Sequence, residues 1–162
     1  MFDNKQPEEY PLVRVIILVE NSKNLNNLDN IFRQNYPIKK ATIINLTNDN
    51  INIYIDSLKI IFKDVDINEN KVQNNVLNIL NTIYNIVNSE TFDYLFLANS
   101  NHYINDFEIF KKLIKSNLPI ISPMLTGKNN TSFTNFWGDV SENGFYKRSF
   151  DYFNIEIGRA HV

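Results

Sequence analysis

Short runs of consecutive apolar residues alternate along this chain with segments in which apolar residues recur every three or four positions. The runs are rich in β-branched residues and apolar on both faces, which is typical of strands buried in a parallel sheet. A less apolar stretch, Leu58–Val65, predicts an edge-like strand. The buried strands are predicted at Leu12–Glu20, Ala41–Leu46, Tyr94–Ala98 and Pro119–Pro123.

Three segments between these runs have helical spacing. The first of them ends at the turn Asn35-Tyr36-Pro37. Their apolar positions are Leu25, Leu28, Ile31 and Phe32 in the first segment, Val72, Val76, Ile79, Leu80, Ile83 and Val87 in Lys71–Val87, and Phe107, Phe110, Leu113 and Ile114 in Asp106–Ser116. Because strands alternate with helices, the sequence predicts an α/β fold with a mainly parallel sheet and helices on both faces.

The predicted fold class indicates where function should lie. In such sheets ligands bind outside the carboxyl ends of the strands. The chain has 162 residues and neither an internal repeat nor a linker, so we expect a single domain. The segment Thr126–Tyr152 differs from the rest because it is aromatic and rich in turn residues. Segments of this kind commonly carry binding residues.

Composition and charge exclude several classes of protein. Sixteen basic and 18 acidic residues give a net charge of −2, so no strong positive field would attract nucleic acid. The chain has no cysteine, which excludes disulfide scaffolds, cysteine-ligated zinc and cysteine nucleophiles. The longest apolar run, Val15–Val19, is far shorter than the ~20 residues that span a bilayer. The 28 asparagines favour an AT-rich gene, so asparagine clusters carry little chemical weight by themselves.

Other chemistries also lack their residues. The two histidines, His102 and His161, do not have the spacing of a two-histidine, one-carboxylate iron site. We therefore expect no 2-oxoglutarate-dependent hydroxylation from this chain alone. The four glycines do not form a phosphate loop, a dinucleotide-binding motif or a nucleophile elbow.

The most specific motifs lie in Pro119–Tyr152, with support from the first strand and the first turn. They are Ser122-Pro123-Met124-Leu125, Asn135-Phe136-Trp137-Gly138, Tyr146-Lys147-Arg148-Ser149-Phe150-Asp151-Tyr152, Ile17-Leu18-Val19-Glu20 and Asn35-Tyr36-Pro37. In these motifs the chain resembles the procollagen-lysyl hydroxylase family (lysine 2-oxoglutarate 5-dioxygenases), in the GT-A-like glycosyltransferase/accessory domain. The segment Gly144–Arg148 is also similar to the related procollagen galactosyltransferases.

This resemblance implies a GT-A-like, Rossmann-like fold that is truncated at its C-terminus. Enzymes of this type bind a divalent metal with Asp-x-Asp at the end of a central strand, where this chain has Asn99-Ser100-Asn101. Asn99 and Asn101 are therefore a degenerate metal position, and UDP-sugar and Mn²⁺ would be cofactors only if that site works. Fe²⁺ and 2-oxoglutarate would belong to a domain missing from this chain. Asn135 and Trp137 are candidates for nucleotide-sugar binding, although Trp137 also suits an aromatic core.

A literal Asp-x-Asp occurs at Asp64-Val65-Asp66. We interpret it as a solvated strand end. We predict no catalytic residue in this chain.

The preferred hypothesis is therefore that residues 1–156 are an incomplete glycosyltransferase-like domain of a procollagen-lysyl hydroxylase, catalytically incomplete by itself. One alternative is an active procollagen galactosyltransferase domain using UDP-sugar and a divalent metal, and another is a non-catalytic GT-A-like interaction module. The resemblance implies a collagen-like polypeptide as partner and the endoplasmic reticulum lumen as location. The AT-rich gene would suit a large DNA virus or a protist, and for a virus the location would be a compartment of the host cell. Residues 157–162 (IGRAHV) match a translated sequencing adapter, so we expect a non-native tail.

Overall fold

The computed structural model describes residues 10–121 and the short strand segments 126–127, 130–134, 139–140 and 146–147. The chain divides into two units between Lys111 and Lys112. The strands are β1 (Val13–Val19), β2 (Lys40–Asn45), β3 (Asp66–Lys71), β4 (Tyr94–Asn99), β5 (Thr126–Gly127), β6 (Asn130–Thr134), β7 (Asp139–Val140) and β8 (Tyr146–Lys147). The helices are a 3-10 helix (Ser22–Asn27), α1 (Leu28–Phe32), α2 (Asn52–Ile61), α3 (Val76–Ser89) and α4 (Ile109–Lys115).

The first unit is built on a four-stranded parallel sheet with the order β3-β2-β1-β4. The strands β2 and β3 are added in turn on one side of β1, and β4 then pairs with the other side of β1. This order is Rossmann-like, and the point where the direction reverses lies between β1 and β4. In the second unit, β5 pairs with β6 and β7 pairs with β8, both antiparallel.

Helices cover both faces of the parallel sheet. Ile86 of α3 packs against Ile16, Ile44 and Leu46. Ile17 points to the opposite face because side chains alternate along a strand. Right-handed crossovers place α1 and α2 on that opposite face, since their connections run the other way along the sheet. The predicted α/β fold with helices on both faces is confirmed.

The central strand β1 is buried along almost its whole length because it lies between two strands and two helical layers. Its side chains Val15, Ile16, Ile17 and Val19 have no exposed surface. Complete burial of one such aliphatic side chain contributes roughly 1.5–3 kcal/mol. This strand therefore fixes the position of Glu20, the residue that follows it at the carboxyl edge.

The predicted strand at Leu58–Val65 is wrong. The helix α2 covers Asn52–Ile61 and buries Ile55 and Leu58, which are three positions apart on one helical face. The third strand begins later, at Asp66, and its burial alternates around the single apolar residue Ile67.

Three other predicted elements have different bounds. The predicted helix Lys71–Val87 begins only at Val76, because the side chain of Asn75 accepts a hydrogen bond from the amide of Leu77 (2.9 Å) and caps it. The helix predicted over 106–116 is the shorter α4. Pro119–Ile121 is not a strand, and the rest of that predicted strand lies outside the described residues. Within the described part of the chain, no helix is both long enough and apolar enough to cross a membrane.

Candidate functional site

The carboxyl ends of β1 and β4 lie side by side, at the point where the strand order reverses. Leu18 pairs with Asn99 in the sheet register, so Glu20 and the turn Asn99-Ser100-Asn101 emerge at the same edge. This is the position at which open α/β sheets bind ligands. Residues 99–101 follow β4 at this carboxyl edge, but β4 is the outermost strand of the described sheet rather than the predicted central strand.

Both asparagine side chains of this turn are held by hydrogen bonds within the protein. The Oδ1 atom of Asn99 accepts a hydrogen bond from the backbone N–H of Asn101 (2.9 Å). The Oδ1 atom of Asn101 accepts one from Nδ2 of Asn24 (2.6 Å), and its own Nδ2 donates to Oε2 of Glu20 (3.3 Å). Each of the two amide oxygens therefore already accepts one hydrogen bond inside the protein.

The 3-10 helix after β1 is joined to the same turn. Asn21 caps this helix by accepting a hydrogen bond from the amide of Lys23 (3.0 Å). At the end of the helix, Nδ2 of Asn27 donates to the carbonyl of Ser100 (2.9 Å), whose N–H donates to the carbonyl of Leu18 (2.8 Å). The two connections close the crevice between β1 and β4 from one side.

Ser100 differs from its neighbours. Its side chain has no exposed surface, and its Oγ atom has no hydrogen-bond partner among the described residues. A buried hydroxyl without a partner is uncommon and carries a desolvation cost of ~1–3 kcal/mol.

The side chains at this turn do not fit a divalent cation as they are arranged. Manganese and magnesium are bound by carboxylate oxygens, and the two asparagines bring no negative charge. Glu20 brings a single carboxylate, which accepts a hydrogen bond from Asn101. Over residues 10–121 and the described strand segments, no three histidine, cysteine, aspartate or glutamate side chains are grouped so as to hold a metal.

The literal Asp64-x-Asp66 motif lies at the other edge of the sheet. Asp66 is the first residue of β3 and pairs with Lys40, the first residue of β2. Both carboxylates are exposed. The motif is therefore at the amino end of a strand and away from the crevice. Its two exposed carboxylates agree with the interpretation as a solvated strand end.

A polar pocket that the sequence prediction missed lies at the carboxyl ends of β2 and β3. Its volume is about 360 Å³. It is lined by Asn45, Asp49, Asn50, Asn52, Glu69 and Lys71. The available sequence signal was Asn45, a polar residue next to the end of the predicted strand Ala41–Leu46, followed by a loop rich in asparagine and aspartate.

Asn45 organises this pocket although it is almost completely buried. Its Nδ2 donates to Oε1 of Glu69 (3.0 Å) and to the carbonyl of Asp49 (3.1 Å). Its Oδ1 accepts from both the N–H (3.0 Å) and the hydroxyl (2.8 Å) of Thr47. Asp49 in turn accepts a hydrogen bond from the hydroxyl of Ser22 (2.5 Å). The loop after β2 is thus connected to the 3-10 helix that closes the neighbouring crevice.

Tyr54 joins α2 to the 3-10 helix and α1 behind this edge, whereas the hydroxyl of Tyr36 donates to the carbonyl of Pro11 (2.5 Å) at the amino end of β1. The hydroxyl of Tyr54 in α2 lies 2.6 Å from the carbonyl of Leu25 and 2.9 Å from Oδ1 of Asp29, and its single proton can be donated to either acceptor. Burial and the Asp29 carboxylate raise the pKa of Tyr54 well above its usual range. Burial, with a smaller contribution from Asp93, likewise raises the pKa of Tyr36.

The predicted nucleotide-sugar residues Asn135 and Trp137 lie outside the described residues, as does the tail 157–162. Their predicted roles therefore stay predictions.

A parallel sheet with this order defines a Rossmann-like α/β fold. A mannosyltransferase from Pyrobaculum calidifontis, solved in complex with GDP-Man and Mn2+, has this fold. It superposes with a TM-score of 0.53 and 15% identity over 75% of this chain and 36% of its own. Residues 8–160 match the profile of the glycosyltransferase family 25 N-terminal domain, and the chain belongs to this family.

Relatives at the sequence level confirm the predicted resemblance. A procollagen lysyl hydroxylase and glycosyltransferase of Acanthamoeba polyphaga mimivirus is 44% identical over 71 residues, which are 43% of this chain and 8% of that protein. A procollagen-lysine,2-oxoglutarate 5-dioxygenase of Drosophila melanogaster is 36% identical over 63 residues (39% and 9%). A probable inactive glycosyltransferase 25 family member 3 of Bos taurus is 33% identical over 61 residues (38% and 10%). The chain thus spans about a tenth of the length of the curated relatives it matches.

Proposed function

We propose that this chain is the glycosyltransferase-like domain of a protein that modifies lysines in collagen-like polypeptides, and that the domain by itself does not catalyse metal-dependent sugar transfer. Membership of family 25 and the names of several relatives support the first part. The second part rests on one observation: Asn99 and Asn101 have neutral side chains whose oxygens already accept hydrogen bonds inside the protein. Relatives described as inactive family 25 members are compatible with it.

The physical reason concerns the charge of the donor substrate. A nucleotide diphosphate brings negative charge to the crevice, and a divalent metal held by carboxylates normally offsets it. A single pair of unit charges 4 Å apart contributes ~4 kcal/mol at an effective dielectric constant of 20. In this crevice the nearest charged group to Asn101 is the carboxylate of Glu20, which would repel a diphosphate. We therefore expect UDP-sugar binding to be weak and insensitive to manganese.

A second candidate function is an active galactosyltransferase domain with altered metal ligands. The observation that favours it is the fold, which it shares with a mannosyltransferase solved with a nucleotide sugar and manganese. In that case the amides of Asn24 and Asn101 would have to separate when the donor binds. The parent protein would act in the endoplasmic reticulum lumen, or in a host compartment if the gene is viral.

Calorimetry of the purified chain with UDP-galactose and UDP-glucose, each with and without Mn²⁺, tests the proposal. We expect heats that give weak binding with the same affinity in both conditions. A transfer assay with a hydroxylysine-containing collagen peptide should give no sugar product above the blank. Manganese-dependent binding in the micromolar range, or product formation, would establish the active galactosyltransferase instead. Weak but measurable UDP binding would distinguish our proposal from an interaction module without ligand.

A further inference from the structure

The other edge of the sheet carries a second pocket, at the amino ends of β1 and β2 and beside the end of α3. Its volume is about 280 Å³. Its polar lining residues are Arg14, Lys39, Lys40, Ser89, Glu90 and Thr91. Because this edge is opposite to the crevice of Asn99 and Asn101, the pocket has no part in the proposed function.

Arg14 is the unusual member of this pocket. It lies in the central strand β1, and its side chain is only 4% exposed. Its Nη2 atom donates a hydrogen bond to Oγ1 of Thr42 (2.7 Å), but Nη1 has no acceptor among the described residues. Its Nε atom lies 3.2 Å from Oε2 of Glu90, an ion-pair distance, yet without the directional geometry of a hydrogen bond. A buried guanidinium with donors left open is costly, so an acceptor is expected nearby.

Positive charge exceeds negative charge around this guanidinium. The lining includes three cations, Arg14, Lys39 and Lys40, and one carboxylate, that of Glu90. That carboxylate serves two cations, because its Oε1 also lies 3.5 Å from Nζ of Lys40. Lys39 forms no ion pair with a described residue. The pocket therefore lacks a second anion.

Two other carboxylates, those of Asp93 and Asp66, lie at this edge but outside the pocket lining and form no ion pair with its cations. Asp93 accepts a hydrogen bond from the backbone N–H of Leu12 (2.7 Å). Asp66 accepts one from Nδ2 of Asn68 (3.2 Å). Neither side chain lines the pocket.

We propose that this pocket binds a small dianion of the phosphate class through Arg14, Lys39 and Lys40. A guanidinium presents paired donors that match phosphate oxygens, and lysines add charge without a strict geometry. The hydroxyl of Thr91 is a further donor on the pocket wall. Glu90 competes with the ligand because it already sits against Arg14 and Lys40. The affinity for phosphate is therefore set by Glu90.

The test compares thermal unfolding of the chain in sodium phosphate and in sodium chloride of equal ionic strength, followed by calorimetry with inorganic phosphate. We expect phosphate to raise the melting temperature of the wild type more than chloride does. The variant Glu90→Gln should melt lower in chloride, because the buried Arg14 loses its anion. It should bind phosphate about tenfold more tightly, since a competing charge has gone. Phosphate should then restore much of the lost melting temperature.

Two further variants keep the test informative if Glu90→Gln does not fold. The double variant Lys39→Gln/Lys40→Gln changes two exposed lysines and should weaken phosphate binding at least tenfold. Lys59→Gln/Lys63→Gln removes two exposed lysines outside the pocket and is the matched control, which should bind phosphate like the wild type. The proposal is overturned if phosphate and chloride act alike on the wild type, or if the Lys59/Lys63 variant loses as much phosphate stabilisation as the Lys39/Lys40 variant.

Discussion

Replacing Asn99 and Asn101 by aspartate should convert the turn after β4 from a hydrogen-bonded amide pair into a cation site. The carboxylate that Asn99→Asp introduces can still accept the hydrogen bond from the N–H of residue 101. At position 101, the contact with Asn24 is retained but the donor to Glu20 is lost, and two carboxylates face each other at about the 3.3 Å that now separates Nδ2 of Asn101 from Oε2 of Glu20.

The cost of this change follows from the geometry. At 3.3 Å two like charges in water repel by ~1 kcal/mol, and the high dielectric constant is appropriate because Glu20 and Asn101 are exposed. The lost hydrogen bond adds ~1 kcal/mol. We therefore expect the metal-free double variant to be destabilised by ~2 kcal/mol, which lowers the melting temperature by roughly 4–8 °C in a chain of this size.

Manganese should reverse this loss. The variant has carboxylates at positions 20, 99 and 101 at the same edge of the sheet, and a ligand present at 100 times its dissociation constant stabilises the folded state by ~2.7 kcal/mol. The assay is thermal unfolding of wild type and double variant over a manganese titration, with UDP added in a second series. The matched control, Asn81→Asp/Asn85→Asp, adds the same charge to exposed positions on α3. Equal manganese stabilisation of the control and the double variant would refute the reasoning, as would manganese stabilisation of the wild type.

Three other substitutions probe the framework of the first unit by chemical denaturation. Tyr54→Phe loses the hydrogen bonds to Leu25 and Asp29 and should lower the free energy of unfolding by ~1–2 kcal/mol. Because the folded pKa of Tyr54 is raised, its contribution is complete below pH 10 and is lost as the pH rises above 10, so the stability of the wild type should fall more steeply there than that of Tyr54→Phe. Ser100→Ala removes a buried hydroxyl that has no partner among the described residues, so it should relieve the desolvation cost and raise the free energy of unfolding by up to ~1–3 kcal/mol; a loss above ~1 kcal/mol would mean that the hydroxyl has an acceptor. Leu58→Ala should cost ~2–5 kcal/mol, as expected for a buried helical position, whereas a loss below ~1 kcal/mol would contradict its burial in α2.

Continuous apolar sequence decided which strands could be predicted. The strands β1, β2 and β4 differ from the predicted runs by at most one residue at each end. The strands β1 and β2 are buried on both faces, as such runs typically are in a parallel sheet, whereas β4 was predicted as a buried strand but lies at the edge of the described sheet with Leu95 and Leu97 exposed. The strand β3 has the sequence DINENK, in which only Ile67 is buried. An edge strand of this kind is held by backbone hydrogen bonds to its neighbour, so its side chains do not show the apolar pattern by which a strand is predicted from sequence.

The helix α2 was missed for a different reason. Its buried residues Ile55 and Leu58 have helical spacing, but Ile53 is 87% exposed and Ile60 and Ile61 are also largely exposed. Apolar residues on the solvent side obscure the stripe that normally indicates an amphipathic helix. In an isoleucine-rich chain, a hydrophobic residue is therefore a weaker indicator of a buried face than usual.

The position of the candidate crevice was predictable from the sequence, whereas the hydrogen bonds made by its asparagine side chains were not. A polar triplet after an apolar run places residues 99–101 at the carboxyl end of a strand in any parallel sheet. The hydrogen bonds that occupy the turn come from residues far away in the chain: Asn24 is 77 positions from Asn101, and Glu20 is 81. No local spacing could indicate that these partners would arrive there. Whether an asparagine at this position is a cation ligand or part of a closed hydrogen-bonded turn thus depends on Glu20 at the end of β1 and on Asn24 in the helix that follows it.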